Sequence, residues 1–135
     1  MWEHFHHQAD IGIRGFGESI EKAFEQAAVS MVAVVCNPET IEAKEQILIN
    51  CEGTDRELLL ADFLNAIIYE MATRNMLFSK FQVNIEANKL AGKAWGEKAD
   101  PKKHDLAVEV KAATYSQLAV ENKDGQWIAQ CVVDV

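Results

Sequence analysis

Proline is nearly missing from this chain. Only Pro38 and Pro101 occur in 135 residues, and no Gly/Ser-rich or charged tract forms a linker, so a single domain spanning residues 1–135 is expected. No apolar run approaches the ~20 residues of a bilayer crossing, and no basic start leads into an apolar segment. Both absences argue against a helical span or a signal peptide and for a soluble, cytoplasmic protein with no membrane partner. Cysteine is scarce. Cys36, Cys51 and Cys131 are an odd number without a CxxC pair, which leaves no disulfide framework or structural zinc and fits three small packing residues. Basic residues are the minority charge. Against 21 Asp plus Glu stand 13 Lys plus Arg, a formal charge of -8, and the richest basic stretch, Lys102-Lys103-His104, is flanked by Asp100 and Asp105. Binding to a nucleic-acid backbone draws on Lys and Arg, so no direct nucleic-acid binding is expected; cations and basic protein surfaces are better matched.

What the chain does contain is periodic apolar sequence, 49% of its residues, enough for a real core. Ile11 and Ile13 alternate with small or charged residues over 10–15, the period of a half-buried strand, and the glycines that follow read as turn formers. From Ser19, a plausible N-cap, Ile20, Ala23, Phe24, Ala27, Met31, Val34 and Val35 form a helical stripe over 19–35 ended by Asn37-Pro38. Ile47, Ile49 and Cys51 have strand spacing. Thr54 and Glu57 read as a capping box opening a second helix over 55–74. Strand-like runs follow at 80–86, 89–95, 106–114, 117–122 and 127–133. Two early helices and a later meander predict an α+β domain of two layers, with both helices packed on one face of a mainly antiparallel sheet.

Candidate chemistry is sparse. No serine sits in a nucleophile elbow, and Gly15-Phe16-Gly17 lacks the third glycine of a dinucleotide fingerprint. His4, His6 and His7 cluster near the start; in an extended segment His4 and His6 share one face while His7 joins Phe5 on the other, so at most two reach one ion. Asp10, Asp55 and Asp134 each stand at an element boundary. Ordinary roles fit each of them, yet if sheet closure brings the chain ends beside the second helix, three carboxylates converge on a site for calcium or magnesium. A metal-dependent hydrolase using these aspartates, with His4 or His104 as base, is one possible outcome of such a cluster.

The string Glu3-His4-Phe5, His7, Ala9-Asp10-Ile11-Gly12-Ile13-Arg14-Gly15-Phe16-Gly17 resembles the N-terminal signature of the archease family. Trp95-Gly96-Glu97 with Asp100 and His104, then Val110-Lys111-Ala112-Ala113-Thr114-Tyr115, is similar to a second family block. Asp55-Arg56-Glu57-Leu58-Leu59 and the ending from Trp127 to Val135 match two more. Archeases are accessory proteins of the RtcB-type RNA ligase, which joins RNA ends with GTP and manganese. The resemblance implies an α+β fold and a non-enzymatic activator that promotes guanylylation and multiple turnover of that ligase in tRNA splicing or RNA repair. It also implies a calcium-holding site of three aspartates mapping onto Asp10, Asp55 and Asp134, with His4, His7 and His104 in support. The fold's similarity to a redox-regulated chaperone adds a general chaperone role as an alternative, though this chain lacks that protein's paired-cysteine zinc switch. Gln8, His6 and Ser116 depart from the family pattern; at Ser116 a hydroxyl stands where imidazole is common and cannot replace it as a ligand.

Overall fold

The computed structural model describes residues 1–135. A hairpin of β1 (Trp2–His7) and β2 (Asp10–Gly17) leads into helix α1 (Ile20–Val35). After a 3₁₀ turn at Pro38–Thr40 come β3 (Glu45–Glu52), helix α2 (Arg56–Arg74), and the long hairpin β4 (Met76–Glu86) and β5 (Lys89–Lys98). The short helix α3 (Pro101–His104) precedes β6 (Ala112–Ala113), β7 (Ala119–Lys123) and β8 (Gln126–Asp134). Every strand pair is antiparallel.

The α+β class holds, with the helices packed on antiparallel sheets. The strands divide between two sheets: β1-β2-β8, with β6 and β7 both along the far edge of β8, and a three-stranded sheet ordered β3-β5-β4. Helix α1 packs on β2 and β8 of the first and β4 of the second, and α2 touches β3 and β4 as well as β6 and β7. Period-two patterning tells which strand face is buried but not which sheet a strand joins. The shared core has Phe24 of α1 and Phe63 of α2 stacked at 6.2 Å between centroids. Cys36 and Cys131 are buried within it, and burial pushes the Cys131 thiol up to about 12, which keeps it protonated and inert.

Local chemistry sets the helix ends. The Ser19 hydroxyl accepts the Lys22 N–H to open α1. The expected capping box at Thr54 is not formed: Asp55 is the N-cap of α2, and its carboxylate accepts the N–H groups of Glu57 and Leu58 at 2.8 and 3.0 Å. An ionised carboxylate makes a stronger acceptor at this positive helix end than the neighbouring hydroxyl. The glycines after Ile13 are not turn residues either, since Gly15 and Gly17 lie within β2. A Cβ on Gly15 would sit 2.1 Å from the Ala27 nitrogen, so this glycine is what lets α1 lie directly on the strand.

The run at 106–114 is a strand only at Ala112–Ala113. In the stretch before it, the Ala107 N–H donates to Val35 O, Val110 is buried, and Leu106 and Val108 stay exposed. The apolar alternation is present, but only Ala112 and Ala113 of the run pair with a strand, β8. On the outward face of the three-stranded sheet, Trp95 stands between Gln46 and Lys80, Lys93 between Leu48 and Gln82, and Ala91 between Asn50 and Asn84. In the next row Lys89 faces Glu52 and Glu86.

Candidate functional site

Strand register assembles one end of the larger sheet. His7 pairs with Asp10 as the closing pair of the first hairpin, whose turn residue Gln8 has φ 54°. The β2–β8 register pairs Ile11 with Val133, so one step further along it Asp10 faces Asp134. Directly opposed residues project from the same sheet face. His7, Asp10 and Asp134 therefore form a row across three adjacent strands, on the face that carries Phe5, Gly12 and Val132 one row in. Both aspartates are exposed and His7 is half-buried. The His7 Nδ1 is buried and has no hydrogen-bond partner. Behind this row the Arg14 guanidinium lies 4.4 Å from the centre of the Phe5 ring and donates to Gln130 Oε1 at 2.8 Å.

The third expected aspartate is elsewhere. In the first turns of α2, Glu57 Oε2 accepts the Val120 N–H at 3.4 Å and Arg56 lies over the Trp127 ring, at the opening of β8. Asn65, further along the helix, bonds both backbone groups of Ala113, which pairs with Val133 beside Asp134. The ten residues from Asp55 to Asn65 span about 15 Å of helix at ~1.5 Å per residue, too far for Asp55 to share an ion with Asp134. The expected trio thus reduces to a pair, and no three His, Cys, Asp or Glu side chains are grouped to hold a metal. Asp55 is occupied as a helix cap. Asp55→Ala is accordingly expected to lower stability by about 1 kcal/mol in urea unfolding, and Asp55→Asn by far less, because an amide oxygen still accepts.

The other histidines have structural partners. On the helix-facing side of β1, His4 Nε2 lies 2.8 Å from the Ser30 carbonyl of α1. His104 is buried against the three-stranded sheet with both ring nitrogens in use: Nδ1 accepts the Asp100 N–H at 2.9 Å, which leaves Nε2 to donate to Glu97 Oε2 at 2.9 Å. Neither lies in the His7 row. Ser116 borders it, since its carbonyl accepts the Val132 N–H on the far edge of β8.

Around Glu97, which is not among the candidate site residues of the sequence, lies a charged cluster. Besides His104, the buried Glu97 carboxylate accepts the Glu42 N–H at 2.9 Å and the Lys103 ammonium at 3.0 Å, with Lys44 at 3.4 Å. The Glu42 N–H bond, then His104, then Lys103 hold its ionisation well below the ordinary carboxylate range despite burial. Lys103 is raised in turn, chiefly by its bond to Glu97. The one sequence signal was the Gly96-Glu97…His104 spacing; its role is to lock α3 and the 42–44 segment onto β5.

Comparison with known proteins agrees with this architecture from end to end. The model of the Archease protein family (MTH1598/TM1083) matches residues 2–135. Protein archease of Pyrococcus furiosus is 45% identical over 140 residues, covering 100% of this chain and 99% of that protein. Its counterpart from Sulfurisphaera tokodaii is 43% identical over 136 residues, covering 99% and 98%. The solution structure of protein 1598 of Methanobacterium thermoautotrophicum superposes with a TM-score of 0.87 at 33% identity, over 99% of this chain and 98% of that one. The crystal structure of an archease, possible chaperone, from Thermotoga maritima shares the fold at 21% identity, with a TM-score of 0.65 over 100% and 98% of the two chains. With a sheet end formed by the signature residues His7 and Asp10 and the C-terminal Asp134, and with relatives alike over their full length, this chain belongs to the archease family.

Proposed function

We propose that this chain is a non-catalytic activator of an RtcB-type RNA ligase, promoting the ligase's guanylylation and repeated turnover in tRNA splicing or RNA repair, and that it holds calcium or magnesium through Asp10 and Asp134. Family membership supports the partner. The observation that carries the mechanism is the opposed pair of exposed carboxylates at one sheet end, beside the unpartnered His7 nitrogen. Two facing carboxylates repel, so their pairing is relieved by a cation or by a basic partner surface. Two hard oxygen donors with open solvent around them suit a cation whose other positions are filled by water. When bound, such an ion would neutralise the pair and fix both carboxylates in place. The chain's own part is to present that edge rigidly: the hairpin fixes Asp10 against His7, and β8 fixes Asp134. An accessory protein shifts a ligase toward guanylylation only by binding the competent state better than the others, and acidic groups on a rigid edge can supply that preference for a basic surface.

Ligation at excess RNA over the cognate ligase tests this reading. The protein should convert a stalling ligase into a cycling one while joining no RNA and hydrolysing no nucleotide alone. A folded Asp10→Ala, Asp134→Ala variant should lose the stimulation. It should also lose any calcium-induced rise in melting temperature, which for a site at one hundred times its Kd corresponds to about 2.7 kcal/mol; Asp55→Ala should keep both. Absence of stimulation by the unmodified protein would refute the proposal. A second reading, as a chaperone for apolar segments, draws on an open groove of about 650 Å³ between α2 and residues 106–111 and on the description of the Thermotoga relative as a possible chaperone; suppression of client aggregation by this chain is its test.

A further inference from the structure

The outward face of the three-stranded sheet departs from the acidic character of the chain. Its three central rows carry Lys80 and Lys93, an aromatic ring and four amides, with no carboxylate among them. Neither lysine takes part in an ion pair, whereas Lys44 and Lys103 nearby are both matched with Glu42 and Glu97. Trp95, half-buried, lies on the central strand with the Lys80 ammonium 4.9 Å from its ring centre. Beside Lys93, Leu48 is 61% exposed. In a protein of net charge -8, nine contiguous positions that hold two uncompensated cations and no anion form a local site for a polyanion. The balance that argues against nucleic acid averages over the whole surface, and this face is where the average does not apply.

We propose that this sheet face binds a segment of single-stranded RNA, with a base stacked on Trp95 and phosphates held by Lys80 and Lys93. Each part of the face has a matching part of that ligand. A half-buried aromatic on the outward face of the middle strand offers a π-surface to an unpaired base, which a duplex keeps inside its stack. Lysine ammonium groups without carboxylate partners are free to neutralise phosphates. Gln46 and Gln82, which flank Trp95 and Lys93 across the strands, supply both donors and acceptors for base edges and for the 2′-hydroxyl, and the 2′-hydroxyl favours RNA over DNA. An acidic protein surface would use the lysines and leave the ring and amides without a role. The proposal does not rest on the activator reading, because the face lies on the sheet that does not contain Asp10 and Asp134.

The test uses the protein alone, without any ligase, so its result is separate from the fate of that reading. A labelled single-stranded RNA of about twelve nucleotides is titrated with the protein at low salt, following anisotropy and tryptophan fluorescence. Binding should saturate and should quench tryptophan emission. With two phosphates neutralised, the logarithmic salt slope should be about -1.4, so raising salt from about 50 to about 200 mM weakens binding about sevenfold. A Lys80→Glu, Lys93→Glu variant with unchanged melting temperature should lose at least tenfold in affinity, and Trp95→Leu should lose the quench. Absence of binding by the unmodified protein at the lower salt, or unchanged binding by the double variant, would overturn the proposal. A polyglutamate peptide that binds as tightly as the RNA, insensitive to Trp95→Leu, would reassign the face to an acidic protein, and equal affinity for DNA of the same sequence would overturn the assignment to RNA.

Discussion

Gly96→Ala is expected to lower stability by more than about 4 kcal/mol, the range of severe core disruption, enough to leave a domain of ordinary stability largely unfolded. A Cβ on Gly96 would lie 1.8 Å from the Leu77 carbonyl oxygen and 2.8 Å from both the Leu77 carbonyl carbon and the Phe78 Cα. All three are main-chain atoms of β4, so no side chain can rotate to make room. The strand cannot easily yield either. Its register against β5 shifts between Phe78 and Lys80, and Leu77 and Phe78 on either side of the crowded carbonyl are buried in the core. Gly53→Ala is the control, because a Cβ there meets nothing within 4 Å and the change should stay within about 1 kcal/mol of the parent. Thermal unfolding of both variants decides the matter: a Gly96→Ala protein melting within a few degrees of the parent would mean that β4 can move away from β5, against the reading of this contact as rigid.

The elements were legible in the sequence where local chemistry decides them. Ser19 as a cap and the stripe from Ile20 to Val35 mark α1 because a hydroxyl before a 3.6-residue period has few other readings. Partition of the strands into two sheets was not legible, since Ile47 and Ile13 alternate in the same way although one joins β3 and the other β2. Gly15 was misread for a related reason: glycine marks both turns and close backbone approach, and only the position of Ala27 across from it tells them apart. At the candidate site, family resemblance selected Asp10 and Asp134 correctly as neighbours, because strand pairing at the two chain ends brings them together. Asp55 joins them in the sequence because it too stands at an element boundary and falls in a family block. Its acidity has a sufficient local cause in the helix N-terminus, and α2 runs from β7 at Glu57 to β6 at Asn65, which leaves Asp55 at the end away from the pair. Glu97 was hidden because a carboxylate at a strand end normally faces solvent; its burial depends on the Glu42 N–H, His104 and Lys103 arriving from segments distant in sequence.

Glu97→Gln is expected to cost on the order of 3 kcal/mol at neutral pH and to flatten the acid side of the stability curve. The first effect follows from burial. The carboxylate accepts a backbone N–H, an imidazole N–H and an ammonium together, and an amide of the same shape has one oxygen to offer, no charge, and an NH₂ aimed at donors. Removing the anion also leaves Lys103 with only the exposed Glu42 as partner, and breaking a buried charged network by deleting one member is among the larger single-site losses. The second effect follows from linkage. Glu97 is held below its ordinary value of 4.5 by the Glu42 N–H, His104 and Lys103, so the unfolded chain takes up this proton first as pH falls. The contribution is therefore present in full above about pH 4.5 and is lost progressively as pH drops from there toward the folded value. Glutamine has no such proton to gain. Urea midpoints measured from pH 7 down through pH 3 should fall more steeply for the parent than for Glu97→Gln, so that the two curves approach each other in acid. Parallel curves would show that Glu97 titrates alike folded and unfolded, and would remove the charged cluster from the forces that hold α3 against β5.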